Sequence, residues 1–232
     1  MEKIYFDGKD WVHLSDDVCL VYPDKVDNFE QICTMHIPLF TRNYCPKEGD
    51  IVLDIGSGVG AEISTFSKLV GDSGHVYAIE ADPELYLKNI KVVSLLGLNN
   101  VTCINTAIMD KAGEIEIGRF SVDGIDSSIY TKESKDIIKV KSTSIDGIIE
   151  EYGLDKVDYI KINIEGAETY ALQGISDPYK IKNWCISSHD FIGINTKNFV
   201  INFFNSKGIL VDLHEEVKDK PWEGGYIYVK PA

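Results

Sequence analysis

No apolar run in this chain approaches the roughly 18 residues that cross a bilayer, and its opening stretch, MEKIYFDGKDWVHLSDDV, lacks the apolar core of a signal peptide. Five cysteines are present, Cys19, Cys33, Cys45, Cys103 and Cys185; they are odd in number, widely separated and form no CxxC pair, which argues against a disulfide framework or a zinc knuckle. That usage fits a reducing compartment, so a cytoplasmic protein is expected. Positive charge is scarce: 23 Lys and Arg against 37 Asp and Glu leave a net charge of −14, a field that repels phosphate backbones and anionic lipid surfaces. Neither nucleic acid nor a membrane is expected as a partner. Internal repeats, low-complexity tracts and an acidic tail are also absent.

What is there is an ordinary globular composition, 44% hydrophobic and 26% charged over 232 residues, enough for one well-cored domain. From residue 51 short apolar runs alternate with helical patterns, the mark of an α/β fold with a mainly parallel sheet. IVLDIG (51–56), HVYAIE (75–80), VTCIN (101–105), DYIKINI (158–164) and WCISSHD (184–190) read as its strands. Asp82 and Pro83 open a helix that Gly97 closes, with Tyr86, Ile90 and Val93 as its apolar stripe. EIEIGRF and IKVKSTS alternate like antiparallel strands of an insertion, and ILVDLHEE with GGYIYVKP reads as a closing hairpin. Residues 1–48 form an N-terminal cap or extension of short strands and one helix near 27–43, ahead of a main domain over 49–232.

The strongest functional signal is Asp54-Ile55-Gly56-Ser57-Gly58-Val59-Gly60-Ala61, a strand entering a helix through three alternate glycines. Such a turn brings backbone close to a ligand and aims helix N–H groups at it. The dinucleotide pattern GxGxxA is also satisfied, so an NAD(P)-binding oxidoreductase stays open as an alternative. Asp54 argues the other way, since a carboxylate there repels a pyrophosphate and suits a cofactor carrying an amino group and a sulfonium. Glu80, closing the second strand, is placed to accept hydrogen bonds from ribose hydroxyls.

DIGSGVG, IEADPE, GLNNVTCINTAIMDKAGEIEI and above all DYIKINIEGAETYALQGI resemble the FkbM family of class I S-adenosylmethionine-dependent methyltransferases over roughly residues 45–190. The resemblance implies a Rossmann-like seven-stranded sheet, mostly parallel with one antiparallel strand and helices on both faces. It implies methyl transfer, usually to a hydroxyl of a small molecule or saccharide, with S-adenosyl-L-methionine as cofactor. Asp54, Gly56, Ser57, Gly58, Gly60, Glu80, Ala81, Ala107, Ile108 and Asn163 are the expected cofactor residues. Asn105, Thr106 and Asp110 are further candidates around the adenine.

An alcohol must shed its proton on methylation, so a base is expected in the crevice at the strand ends, where Asn163, Glu165, His189 and Asp190 are candidates. His189 is the expected base, and Glu165 is placed to orient a hydroxyl, help a metal or contact the cofactor. The family usually has aspartate where Asn163 stands; the amide keeps hydrogen bonding but lacks the charge, so a base or metal role does not carry over. No ligand spacing marks a metal site; a divalent metal is possible but not expected. Lys161, inside a strand, reads as a buried lysine paired with a carboxylate. Ser127, Ser128 and the aromatics Tyr5, Phe6, Trp11 and Tyr22 are candidates for an acceptor pocket. A cofactor-binding module without catalysis is the third alternative, and the sequence leaves the oligomeric state open, a homodimer included.

Overall fold

The computed structural model describes residues 2–119, 128–129, 136–189, 195–214 and 225–231. An antiparallel meander comes first: β1 (Lys3–Phe6), β2 (Trp11–Leu14) and β3 (Cys19–Tyr22). The helix expected near 27–43 is instead two, α1 (Phe29–Thr34) and α2 (Ile37–Phe40). A continuous helix would need an N–H at residue 38 for the Thr34 carbonyl, and Pro38 has none. Tyr159 and Tyr228 then fasten α2 to the main sheet, their hydroxyls donating to the carbonyls of Phe40 and Leu39 at 2.6 and 2.8 Å.

The main domain continues with β4 (Ile51–Ile55), α3 (Ile63–Val70), β5 (His75–Glu80), α4 (Pro83–Leu96) and β6 (Val101–Asn105). β7 (Ala107–Ile108), β8 (Gly113–Arg119) and β9 (Asp136–Thr143) form a separate small sheet in which β8 and β9 run antiparallel, as their alternation predicts. After α5 (Ile145–Glu151) come β10 (Tyr159–Ile162), α6 (Glu168–Gln173), β11 (Trp184–Ser187), α7 (Thr196–Asn205), β12 (Val211–His214) and β13 (Tyr226–Val229).

Seven strands make one sheet in the order β12-β13-β11-β10-β4-β5-β6. The pairs among β11, β10, β4, β5 and β6 are parallel, and β13 alone runs against both of its neighbours. The central strands read as continuous apolar runs because both of their faces are covered. Leu53, Ile55, Ile160 and Ile162 pack with residues of α5, α6 and α7; Val52 and Tyr159, one position out of phase, pack with α2 and α3.

One periodicity reading is corrected. α4 buries Leu85, Lys88, Asn89 and Val92, whereas Ile90 is exposed and Tyr86 and Val93 only half-buried. The inward face carries polar work: Lys88 Nζ lies 3.5 Å from Asp10 Oδ1 beside the meander, and Asn89 Nδ2 donates to Ser57 Oγ at 2.6 Å. An apolar stripe search passes over such a face.

Candidate active site

The β4–α3 turn is built around positive-φ glycines, Gly56, Gly58 and Gly60. A Cβ on Gly56 would lie 1.9 Å from the Asn163 carbonyl oxygen, so the turn and the end of β10 touch backbone to backbone. Four of the turn's donors are already engaged. Gly56 and Ser57 N–H donate to the Ile79 carbonyl at 2.9 and 3.1 Å, Gly60 N–H to Ser57 O at 2.9 Å, and Gly58 N–H to Glu80 Oε2 at 2.8 Å. This differs from the expected cradle of N–H groups.

Asp54 is also corrected. Its carboxylate is fully buried beneath the turn, 2.9 Å from Lys161 Nζ on the adjacent strand, and does not line the cavity. Lys161 Nζ in turn donates to the Gly56 carbonyl at 2.7 Å and sits 5.2 Å from the centre of the Phe40 ring. Burial opposes the ammonium, but Asp54, Glu62 and Glu80 outweigh it and hold the Lys161 pKa above the ordinary lysine value. Lys161 thus finds the carboxylate its sequence position calls for, and it pins the glycine turn.

Beside the turn, at the ends of β4, β5 and β10, opens a concave cavity, the place where open α/β sheets bind small molecules. Gly56, Gly58, Glu80, Ala81, Ala107, Ile108 and Asn163 of the expected cofactor residues line it, together with Thr106, Ser128 and Glu165. Both Glu80 oxygens accept backbone hydrogen bonds, Oε1 from Asp82 N–H at 2.9 Å and Oε2 from Gly58 N–H; burial nonetheless pushes its pKa up to about 7. Asn163 Oδ1 is buried with no hydrogen-bond partner among the described residues. Apolar walls come from Leu85, Met109, Ile115, Ile117 and Ile129, none of which the sequence reading singled out. Arg119, also unforeseen, ties β8 to the rim, its Nη2 donating to Asp82 Oδ1 at 2.7 Å.

Ser57 and Gly60 stand behind this wall. Ser57 Oγ receives the Asn89 amide, and a Cβ on Gly60 would meet Asn89 Oδ1 at 2.6 Å, so both residues accommodate α4. Asn105 supports the rim by donating to the carbonyls of Glu80 and Ala81 at 2.9 and 3.0 Å; Asp110 does not line the cavity. Nor do Tyr5, Phe6, Trp11 and Tyr22, which belong to the N-terminal meander. Ser127 and Asp190 lie outside the described residues.

At the far end Glu165 has φ 49°, the one positive-φ non-glycine among the described residues, and its carbonyl accepts from Ser128 Oγ at 2.6 Å. Non-glycine residues held at positive φ are uncommon and cluster at functional sites. His189 does not line the cavity, contrary to expectation for a base; it sits behind Glu165, Nε2 at 3.5 Å from Glu165 Oε1. Its Nδ1 donates to Oε1 of the buried Glu168 at 3.0 Å. Among the described residues no group of three or more His, Cys, Asp or Glu side chains could hold a metal ion.

Three similarities bear on this site. A protein-L-isoaspartate O-methyltransferase of Fervidobacterium nodosum is 50% identical over 58 residues, a stretch covering 25% of this chain and 29% of that protein. The crystal structure of methyltransferase FkbM from Methylobacillus flagellatus superposes with a TM-score of 0.53 at 16% identity, covering 79% of this chain and 44% of that one. Aeropyrum pernix fibrillarin, solved with natively bound S-adenosyl-L-methionine, gives 0.51 at 13% identity, covering 99% of both chains. At such identities the two structures speak for the fold alone, a class I methyltransferase architecture. The family model described as the methyltransferase FkbM domain matches residues 54–228, most of the chain, and the chain therefore belongs to the FkbM methyltransferase family.

Proposed function

We propose that this chain is an S-adenosylmethionine-dependent O-methyltransferase acting on a hydroxyl of a small molecule or saccharide. The observation that carries the cofactor reading is the hydrogen-bonding character of the cavity. The N–H groups of Gly56, Ser57, Gly58 and Gly60 are engaged within the protein, while Glu80 and Asn163 Oδ1, which has no partner among the described residues, offer acceptors. A diphosphate needs donors and finds few; an amino group and ribose hydroxyls need acceptors and find them. The residues present fit the cofactor: Glu80 and Asn163 as acceptors, Gly56 and Gly58 as side-chain-free approach, Ala81, Ala107 and Ile108 as the walls of an apolar ring pocket.

S-adenosylmethionine supplies a methyl group on a positively charged sulfur, which leaves with the bonding electron pair as a neutral thioether. The protein's part is to align the acceptor oxygen with that methyl and to take its proton, and alignment accounts for much of the acceleration. Glu165 lines the cavity, so it is the group that would touch the acceptor and take up its hydroxyl proton on the carboxylate. His189 stands behind it. An acidic acceptor, such as the isoaspartyl carboxylate in the relative's name, would lie beside Glu165 as a like charge and is disfavoured.

Calorimetry with S-adenosylmethionine and with NADH tests the cofactor; binding of NADH alone would sink the reading. Turnover of methyl-labelled donor against a panel of polyols, saccharides and phenols tests the reaction. A methyl ether is the expected product. Donor binding with no labelled product from any acceptor would favour a module without catalysis.

A further inference from the structure

Glu168 is the most deeply buried acid at the acceptor end. Its side chain is 0% exposed; Oε1 accepts from Ile164 N–H at 3.2 Å and from His189 Nδ1 at 3.0 Å, while Oε2 has no hydrogen-bond partner among the described residues. A carboxylate accepts but cannot donate, so His189 must carry its proton on Nδ1. The other ring nitrogen then faces Glu165 Oε1 at 3.5 Å and Ser187 Oγ at 3.5 Å. An imidazole flanked on both sides by carboxylates is favoured as the cation, and a buried carboxylate needs a counter-charge.

We propose that Glu168 is a positioning residue of the reaction: it fixes the His189 ring through Nδ1 and holds it as an imidazolium whose Nε2 faces Glu165. The inference rests on the reading of Glu165 as the proton acceptor. His189 is then the cation that orients Glu165 and keeps it ionised in the cavity. Other titratable groups bordering this corner among the described residues are Tyr226, which lies opposite Ser187, and Glu62, close enough to Tyr226 to raise it. Tyr226 is pushed up to about 12, chiefly by burial, and so stays a neutral phenol beside the two glutamates and the histidine.

The test is an imidazole ¹H–¹⁵N correlation spectrum of the full ¹⁵N-labelled chain over a pH series, with the His189 signals assigned by their loss in His189→Asn. Both ring nitrogens are expected to be protonated at pH 7, with a midpoint above the ordinary histidine value of about 6.5 and an Nδ1 proton protected from exchange. Glu168→Gln should lower that midpoint by about 1 pH unit or more, and Glu168→Asp should restore part of it. A merely structural acid would leave the midpoint where it was. The idea is overturned by a neutral His189 at pH 7 or a freely exchanging Nδ1 proton in the unmutated chain, results that stand even if Glu168→Gln fails to fold. An unchanged midpoint in a folded Glu168→Gln overturns it equally. Calorimetry with S-adenosylmethionine keeps the two readings apart: an unmutated chain that does not bind the donor removes the proposed function while the His189 titration still decides this one.

Discussion

A carboxyl with a midpoint near 7 makes cofactor binding depend on pH in the physiological range. Glu80 is raised chiefly by burial, so the ligand-free fold holds its full share of stability below the ordinary glutamate value and loses it as pH climbs through about 7. Ribose hydroxyls prefer the ionised acceptor, which sets the opposite trend for binding. Affinity for S-adenosylmethionine should therefore rise between pH 6 and pH 8, and Glu80→Gln should flatten that slope and weaken binding by about 1.5–3 kcal/mol; calorimetry at several pH values checks both. Lys161 allows a stability test. Lys161→Met would leave Asp54 buried and unpaired and the Gly56 carbonyl without its donor, a loss of about 3–5 kcal/mol in urea unfolding. Combining it with Asp54→Leu should recover most of that loss; a single variant costing under about 1 kcal/mol would contradict the pairing. This pair was legible in principle, since a lysine and an aspartate each interrupt an otherwise apolar parallel strand, and adjacent parallel strands bury such charges only together. Glu168 carried a fainter signal, one acid of two in the EGAE segment. Nothing in sequence spacing showed that it faces His189.

Elements in this chain are legible where glycine, proline and periodicity agree. Asp82, Pro83 and Gly97 bound α4 as their chemistry predicts: Asp82 accepts from Glu84 N–H at 2.8 Å and Gly97 adopts the left-handed conformation. Which face of α4 turns inward was not legible, because the face turned to the meander and the glycine turn mixes polar Lys88 and Asn89 with apolar Leu85 and Val92. The meander carries a pH dependence of its own. Buried His13 accepts from Val26 N–H on Nε2 at 2.8 Å and places Nδ1 3.3 Å from the Leu20 carbonyl, which fits a neutral ring protonated on Nδ1. Its pKa is lowered, chiefly by burial, so below about 6.5 the unfolded chain binds the proton that the folded one resists, and stability falls as pH drops. Protection of the Val26 amide, taken relative to its intrinsic exchange rate at each pH, should fall between pH 6.5 and 5, and His13→Gln should remove the step. Exchange at Val26 with the same pH profile in both chains would contradict it.

On the scale of the whole molecule, the α/β alternation and the closing hairpin were legible from apolar runs separated by helical stretches, while the seven-stranded sheet with one reversed strand was what the family resemblance implied. The cavity was only half visible, since its glycine and Glu80 side lies in short contiguous motifs. The other half joins β8, the segment after β10 and Ser128 with Ile129, brought together by tertiary packing alone. Leu85 belongs to two neighbourhoods at once. It lines the cavity, and it packs with Val18, Leu20 and Phe29 of the N-terminal region and Val59 and Ala61 of the turn. One aliphatic side chain thus separates whatever fills the interior from the outermost layer of the protein. Loading the chain with S-adenosylmethionine should slow proteolytic nicking within residues 2–28, and Leu85→Ala should blunt that protection; equal cleavage rates with and without ligand would refute it. Occupancy could then be read from a gel, long before any methyl acceptor is known.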